Sequence, residues 1–360
     1  MLLSLSSLFD GTCPSVLIIH KSAAIIPMKR VFSGVQPTGE PHLGNYLGAF
    51  KQWVAGQGEK ENFFCIVDLH SLTVPYDPDG LRDRTRKLAA VLLAAGIDPD
   101  KSTLFIQSHV SAHAEACWLL NCVTPLGWLQ KMTQFKDKSA KQESVGTGLL
   151  DYPVLMACDI LLYNADEVPV GEDQKQHVEL ARNIAGRFNH MYGDTFIVPE
   201  PVIPKVAARV MGLDDPTAKM SKSSSSVRGH AVGVLDDPDE ILRSFKRAKT
   251  DAHNEIAFSD DPERAGVNNL LGIYQAMTGK NNADVEADFV DARGYGDLKT
   301  RVAEVVIEGL RPLREQTAAF LNDPATLDAV LLKGAEQARA VAMPKLREMQ
   351  ERMGLVVGKE

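Results

Sequence analysis

The chain has 360 residues, and at roughly 150 residues per domain this length predicts about two domains. Hydrophobic residues make up 44% and charged residues 24% of the sequence, which excludes a collagen-like or wholly disordered chain. The formal net charge of -8 excludes a global basic field, so any nucleic-acid partner has to meet a local basic patch.

The N-terminal segment and the cysteines bear on cellular location. Residues 1–27 are partly apolar but are interrupted by His20 and Lys21, and Asp10 argues against a transit peptide. We expect these residues to form a poorly ordered extension, with translation beginning at Met28. No run of about eighteen apolar residues occurs, which predicts no transmembrane helix. The odd number of cysteines and the lack of a C-x-x-C pair favour a reducing, cytoplasmic location for Cys13, Cys65, Cys117, Cys122 and Cys158.

From Arg30 the sequence alternates short apolar runs with longer helical patterns. We predict strands at RVFSGV, NFFCIVDLH and TLFIQ, with helices over about residues 45–56 and at LRDRTRKLAAVLLAAGI. Apolar strands joined by crossover helices are typical of a parallel sheet covered on both faces, so the sequence predicts an α/β, Rossmann-type fold. In such a fold, ligands bind beyond the carboxyl ends of the strands.

The remainder of the chain is predicted to be mostly helical. Residues 111–187 read as a mostly helical insertion plus the return to the sheet, which the short run EVPVGED makes before another helix. The stretch AKMSKSSSSVRGHA is rich in Ser, Lys and Gly, which is typical of a mobile surface loop. Later segments show only the 3.6-residue period. We therefore predict a Rossmann-type nucleotide-binding domain over residues 28–223 and an all-helical domain over residues 224–360.

The turn after the first strand is the first candidate for anion binding. Pro37, Gly39 and Pro41 predict a tight turn, and a helix beginning near Gly44 would aim free N–H groups at a phosphate. His42 and Asn45 are three residues apart and would project beside that anion. An ordinary turn with a surface histidine and a helix-capping Asn45 explains the same residues equally well.

The second candidate is the stretch Lys219-Met220-Ser221-Lys222. Two ammonium groups on flexible stems can neutralise a departing pyrophosphate, and the surrounding small residues allow a loop to close. A lysine-serine loop that occurs alone is more often solvated surface. Because the sequence contains neither G-x-x-x-x-G-K-[ST] nor G-x-G-x-x-G, no other phosphate-binding motif competes with these two segments.

Together, P-x-x-x-P-H-L-G-N and A-K-M-S-K-S resemble the two signatures of the class I aminoacyl-tRNA synthetases, with Asn45 in place of the second histidine. The segments FSGVQPTG, CIVDLHSLT, QFKDKS, DILLYNAD and VPVGEDQKQHVELARNIAGRFN are similar to those of bacterial tryptophanyl-tRNA synthetases. The run Gly171-Glu172-Asp173-Gln174 departs from the G-G-x-D-Q type of the tyrosyl enzymes. No cysteine follows Cys158, which excludes the iron–sulfur cluster of some tryptophanyl enzymes.

The resemblance implies a tryptophan–tRNA ligase that makes tryptophanyl-adenylate and pyrophosphate, then transfers tryptophan to tRNA(Trp). It implies ATP as substrate, Mg²⁺ bridging the phosphates without protein ligands, and a cytoplasmic homodimer. The implied catalytic residues are Lys219, Lys222, Lys138 and Gln36. The implied ATP-binding residues are Gln36, His42, Gly44, Asn45, Gly171, Glu172, Asp173, Lys219, Met220, Ser221 and Lys222.

The tryptophan site has its own chemical requirement. Indole is a hydrogen-bond donor only, so a flat apolar slot for it needs one buried acceptor. Asp159 lies in LMACDILLY, where a carboxylate without a partner would be costly; an exposed or helix-paired carboxylate is the alternative. For each apolar position the alternative is ordinary core packing. For His70 the alternative is a hydrogen bond to a nearby partner. The implied tryptophan-binding residues are Phe32, Gly34, His70, Tyr152, Met156, Asp159, Ile160, Val168, Val170 and Gln174.

The basic residues and the phosphate-binding motifs each allow other interpretations. The helical part offers basic residues, but solvated helix faces explain such residues more often than RNA does, so tRNA binding rests on the resemblance. These residues are Arg243, Lys246, Arg247, Lys249, Lys299 and Arg301. A nucleotidyltransferase is one rival, because such enzymes also use H-x-G-[HN] after a first strand. A non-catalytic paralogue that binds nucleotide or RNA is the other.

Overall fold

The computed structural model describes residues 28–140, 144–203, 209–221 and 229–358. Within these ranges, one five-stranded sheet has the order β3-β2-β1-β4-β5, and every neighbouring pair of strands is parallel. The strands are β1 Arg30–Val35, β2 Glu61–Ile66, β3 Ser102–Ile106, β4 Glu167–Pro169 and β5 Glu200–Val202. The order reverses between β1 and β4, which is where a doubly wound sheet binds ligands. The predicted α/β fold is confirmed.

The α-helices of the described ranges are α1 Leu43–Asn45, α2 Lys51–Ala55, α3 Pro78–Ala94, α4 Ala112–Asn121, α5 Leu126–Leu129, α6 Thr133–Ser139, α7 Thr147–Leu161, α8 Lys175–Tyr192, α9 Pro238–Lys246, α10 Ala265–Thr278, α11 Asn282–Ala287, α12 Tyr295–Asn322 and α13 Pro324–Arg352. Short 3₁₀ segments cover Leu69–Thr73, Gln107–His109, Glu172–Gln174 and Pro262–Arg264. None of these helices is long and apolar enough to cross a membrane. The segment that was predicted as one helix over about 45–56 contains a π-helical turn, Tyr46–Phe50, between α1 and α2.

Residues of β2 alternate between the two faces of the sheet, as the two-residue period of a strand requires. Phe64 and Ile66 belong to a core that includes α3 and α12, whereas Phe63 and Cys65 belong to one that includes α4, α7 and α8. All four side chains are at most 1% exposed. Burying a large apolar side chain stabilises the fold by about 1.5–3 kcal/mol. The sheet is therefore fixed from both sides, and its carboxyl edge is held in place.

The long C-terminal helices pack back onto the sheet. Helix α12 packs against α3, and α13 runs beside β3. A Cβ atom at Gly334 of α13 would lie 1.8 Å from the carbonyl oxygen of Leu104, so only glycine permits this approach. The domain boundary at residue 223 stays a prediction, and it lies with residues 1–27 outside the described ranges.

Candidate active site

The two predicted anion-binding segments meet at the carboxyl end of β1. The N–H of Leu43 donates to the carbonyl of Val232 at 2.8 Å, and the N–H of Val234 donates to the carbonyl of Pro41 at 3.0 Å. A Cβ atom at Gly44 would lie 3.0 Å from Nδ1 of His42 and 3.6 Å from the Cβ of Met220. The first turn therefore contacts both the Lys219 stretch and the segment that follows its loop.

Asn45 does cap its helix. Its Oδ1 accepts from the backbone N–H of His42 at 3.0 Å, so the capping role considered from the sequence is present. This bond holds the backbone at the start of α1, where the ring of His42 is half-buried. The roles of His42 and Asn45 at phosphates stay predictions.

The Lys219 stretch is tied to the chain on either side of it. The N–H of Met220 donates to the carbonyl of Val210 at 3.1 Å, and Met220 is buried while Lys219 is exposed. His230 contacts Asp214 through Nδ1 at 2.5 Å and the Lys219 carbonyl through Nε2 at 3.4 Å. The structure thus fixes the backbone of Lys219 and leaves its ammonium group in solvent. Ser221 follows directly, and Lys222 lies outside the described residues.

Lys138 reaches the site from helix α6. Its Nζ lies 5.0 Å from the centre of the Tyr152 ring, which is a cation–π contact, and burial lowers the pKa of Lys138. The Tyr152 hydroxyl contacts Nε2 of His177 at 3.0 Å and Oε1 of Gln134 at 3.3 Å. Burial raises the pKa of Tyr152 to about 12, so the phenol keeps its proton at neutral pH.

Asp159 is buried and accepts three hydrogen bonds. Its Oδ1 lies 2.6 Å from Nε2 of Gln107 and 2.6 Å from Nδ1 of His113, and its Oδ2 lies 2.8 Å from Nε2 of His70. The residue is 1% exposed, which rules out the solvent-facing alternative. Burial raises the pKa of the Asp159 carboxyl, but the bonds from His113 and His70 outweigh it and lower the pKa to about 2. The carboxylate is therefore ionised.

The apolar tryptophan-binding candidates belong to the core on the side of the sheet that includes helix α7, which carries Asp159. Phe32, Ile160 and Val168 are at most 3% exposed and share one cluster, against which Met156 and Val170 pack. Phe32 stacks on Tyr163 with ring centres 5.4 Å apart. The structure places these five in one core, which also satisfies the ordinary core role considered from the sequence.

The backbone candidates border the same edge. Gly34 lies near the end of β1, where an added Cβ would be 3.1 Å from Cγ1 of Val67, and Gln36 follows as an exposed residue. Gly171 and Glu172 are exposed beyond β4, and Gln174 precedes α8. The side chain of Asp173 lies outside the described structure. A cavity of about 610 Å³ lined by Lys51, Arg209 and Asn269 contains none of the predicted site residues.

Sequence reasoning missed two of the donors to Asp159. Gln107 directly follows β3, so its place beyond the carboxyl end of a parallel strand is a signal that could have found it. His113 lies among alanines in α4 and is fully buried. A buried histidine in an apolar helix is a weak signal, because such residues are commonly satisfied by local partners.

The chain is similar to known proteins over most of its length. Residues 28–311 match the family of class I tRNA synthetases (W and Y). The tryptophan–tRNA ligase of Wolinella succinogenes is 54% identical over 329 residues, which covers 91% of this chain and 99% of that protein.

Two solved structures extend the comparison. Tryptophanyl-tRNA synthetase from Mycoplasma pneumoniae matches with a TM-score of 0.83 and 36% identity, covering 91% of this chain and 98% of that one. The Campylobacter jejuni enzyme, complexed with ADP and tryptophan, matches with a TM-score of 0.80 and 35% identity, covering 91% and 100%. With a shared fold, both signature segments and this identity over nine tenths of its length, the chain belongs to the class I tRNA synthetases, in the group of the bacterial tryptophan–tRNA ligases.

Proposed function

We propose that this chain joins L-tryptophan to ATP, releases pyrophosphate, and transfers the tryptophanyl group to tRNA(Trp). The observation that supports this proposal is the meeting of the two predicted anion-binding segments beside a buried, ionised carboxylate. His42 follows β1, His70 follows β2 and Gln107 follows β3, and parallel strands bring their carboxyl ends to one edge. Asp159 is bonded to two of these three residues. Nucleotide and amino acid would therefore lie side by side.

The ATP side supplies positioning and positive charge. In the first step the tryptophan carboxylate attacks the α-phosphorus in line, and negative charge grows on the departing pyrophosphate. Lys219, Lys222 and Lys138 neutralise that charge, while His42 and the start of α1 hold the phosphates. The remaining contacts to the nucleotide come from Gln36, Gly44, Asn45, Gly171, Glu172, Asp173, Met220 and Ser221. This chemistry requires no covalent nucleophile.

The tryptophan side supplies shape and one acceptor. Asp159 accepts the indole N–H, and Phe32, Met156 and Ile160 form the slot together with Val168 and Val170. The α-amino group lies near the hydroxyl of Tyr152, with Gly34, His70 and Gln174 completing the pocket. The pKa of about 12 for Tyr152 supports a neutral phenol that can accept from the ammonium group. Phenylalanine would leave Asp159 with an unused acceptor, which opposes its binding.

Magnesium enters with the substrate. Among the described residues, no group of three or more His, Cys, Asp or Glu side chains is arranged to hold a metal ion. We infer that the ion arrives bound to the ATP phosphates and keeps water as its other ligands, as Mg²⁺ usually does.

The partners are proposed on two further features. The basic residues of α9 and α12, Arg243 and Lys246 among them, offer positive charge to a tRNA backbone, and residues 224–360 would read the anticodon. Trp118 on α4 and Leu126 at the start of α5 are 70% and 57% exposed, as expected of an interface between two copies of the chain. The free thiols of Cys65 and Cys158 agree with a reducing cytoplasm.

One plate assay tests the activation step. Exchange of labelled pyrophosphate into ATP is measured with each of the twenty amino acids, and we expect exchange with tryptophan alone. Exchange without any amino acid would favour the nucleotidyltransferase, and a folded protein with no exchange would favour the non-catalytic paralogue.

Sedimentation of wild type and Trp118→Glu tests the dimer, because a charge at a buried interface should produce a monomer.

A further inference from the structure

The two oxygens of Asp159 differ in how many acceptor positions remain. A carboxylate oxygen accepts about two hydrogen bonds. Oδ1 already receives Gln107 and His113, both at 2.6 Å. Oδ2 receives only His70 among the described residues, at 2.8 Å. One acceptor position is therefore left, and it lies on Oδ2.

Gln107 is held so that its amide nitrogen faces Asp159. Its Oε1 accepts from the backbone N–H of Leu69 at 3.1 Å, which fixes which end of the amide points to the carboxylate. Leu69 directly precedes His70, the donor to Oδ2. The two oxygens of Asp159 are thus oriented from one short 3₁₀ segment, Leu69–Thr73, and from the residue that follows β3.

His113 is held from its far side by Tyr163. An ionised carboxylate only accepts, so Nδ1 of His113 must carry the proton of its bond to Oδ1. The other ring nitrogen then accepts from the Tyr163 hydroxyl at 2.8 Å. Burial raises the pKa of Tyr163 well above its ordinary value, so the phenol retains the proton that it donates. The chain Tyr163–His113–Asp159 is satisfied with a neutral imidazole.

We propose that Gln107 and His113 are positioning residues for tryptophan recognition, which occupy Oδ1 completely so that Oδ2 alone meets the indole N–H. The proposal rests on the function proposed above. If either donor is lost, Oδ1 keeps one partner and gains an open acceptor position, and the carboxylate gains freedom to turn away from the slot. The value of kcat/KM should then fall for substrates that carry a ring N–H and change little for substrates that lack one.

The test compares two substrates on two variants of one residue. Wild type, His113→Phe and His113→Asn are assayed by pyrophosphate exchange with tryptophan and with the analogue in which sulfur replaces the ring N–H. Asparagine places an amide nitrogen near the position of Nδ1, whereas phenylalanine keeps a ring without donors. Thr317→Val is the control, because Thr317 is 1% exposed and its Oγ1 makes no hydrogen bond within the described residues.

For His113→Phe we expect kcat/KM for tryptophan to fall by about tenfold or more, which is the scale of one lost bond to a charged group. For the sulfur analogue we expect a change of less than about threefold. His113→Asn should recover most of the preference for tryptophan. The KM for ATP should stay constant in all three proteins, and Thr317→Val should behave as wild type.

An equal fall for both substrates in a folded His113→Phe protein would overturn the positioning role and leave the proposed function standing. Wild type without tryptophan-dependent exchange would remove both. Should His113→Phe fail to fold, Gln107→Met decides. Methionine keeps a side chain of similar length but has no donor for Oδ1, so this variant should show the same selective loss. An unchanged preference for tryptophan in that variant would contradict the proposal.

Discussion

The side of this site proposed for tryptophan and the side proposed for ATP are built differently. Asp159, Gln107 and His113 are at most 1% exposed, and they hold one another by hydrogen bonds within the protein. On the ATP side, Lys219 and Gln36 are exposed, and what the structure fixes there is mainly backbone. The first side is organised by contacts within the protein, whereas the second offers exposed charges that we propose become ordered on the nucleotide.

Because of this difference, variants on one side should change the stability of the protein, and variants on the other side should change its turnover. Removing a member of the buried network leaves polar groups without partners, which costs about 1–3 kcal/mol each whether or not substrate is present. Removing an exposed ammonium group costs little in the free protein and much in the transition state. Variants on the two sides should therefore differ in what they change, and not only in how much.

The largest effect is expected from Lys219→Ala. Loss of one cation at a developing charge reduces kcat by about 100-fold, as removal of a single stabilising donor commonly does. Because Lys219 is exposed, the thermal midpoint should stay within about 1 °C of wild type. Single-turnover adenylate formation and thermal unfolding measure the two quantities. Lys101→Ala, which removes an exposed lysine paired with Asp98 at 2.9 Å, is the matched control and should change neither.

Asp159→Ala should lower kcat/KM for tryptophan by at least about tenfold, on the order of 1.4 kcal/mol. It should also lower the unfolding midpoint, because Gln107, His113 and His70 each lose their acceptor. Asp151→Ala on the same helix is the control, since burial raises the pKa of that half-buried carboxyl and its loss should not destabilise. A loss of tryptophan kcat/KM with an unchanged midpoint would break the contrast between the two sides.

Sequence patterns were sufficient to predict the alternating strands and helices and the segments that carry a dense motif. Alternating apolar runs predicted the parallel sheet, and the Pro-Gly turn located the entry to α1 within a residue or two. Asp159 stood out because a carboxylate between Cys158 and Ile160, in an apolar helical segment, needs a partner. Each of these inferences uses neighbours in sequence.

The contacts that sequence could not supply are between residues far apart in the chain. His113 and Asp159 are 46 positions apart, and Gln107 and Asp159 are 52 apart, so only the packing of α4 against α7 and the approach of the residue after β3 to α7 reveal the pairs. The close approach of α13 to β3 at Gly334 likewise joins residues that are far apart in the chain. The π-helical turn at Tyr46–Phe50 differs from an α-helix by one residue per turn, which hydrophobic period does not resolve.

Lys138 lies between the proposed tryptophan side and the proposed ATP side, so its variant tests where one ends and the other begins. It rests over the Tyr152 ring at 5.0 Å and is proposed to reach the phosphates. Lys138→Met keeps the apolar stem and removes the charge, so KM for ATP should rise by about fivefold, on the order of 1 kcal/mol, with a smaller change in KM for tryptophan. Lys136→Met on the same helix is the control, because Lys136 is exposed. A larger effect on tryptophan than on ATP would assign Lys138 to the other side.

The smallest effect is expected from pH. The pKa of Asp159 is about 2 in the folded chain and about 3.9 in an unfolded one, so its contribution to stability is fully present above about pH 4 and is lost as the pH falls through 2. Between pH 5 and 8 the carboxylate stays ionised and gives KM for tryptophan no dependence on pH.

Urea unfolding of wild type and Asp159→Asn at pH 6 and pH 3 measures the stability half of this expectation. The wild-type advantage should shrink at pH 3, since part of it depends on an ionised Asp159 accepting from His70 and His113. Steady-state kinetics from pH 5 to 8 measure the other half. A rise in KM for tryptophan with a midpoint near pH 6 that disappears in Asp159→Asn would show that the buried network titrates during function, and the tryptophan side would then be no more rigid than the ATP side.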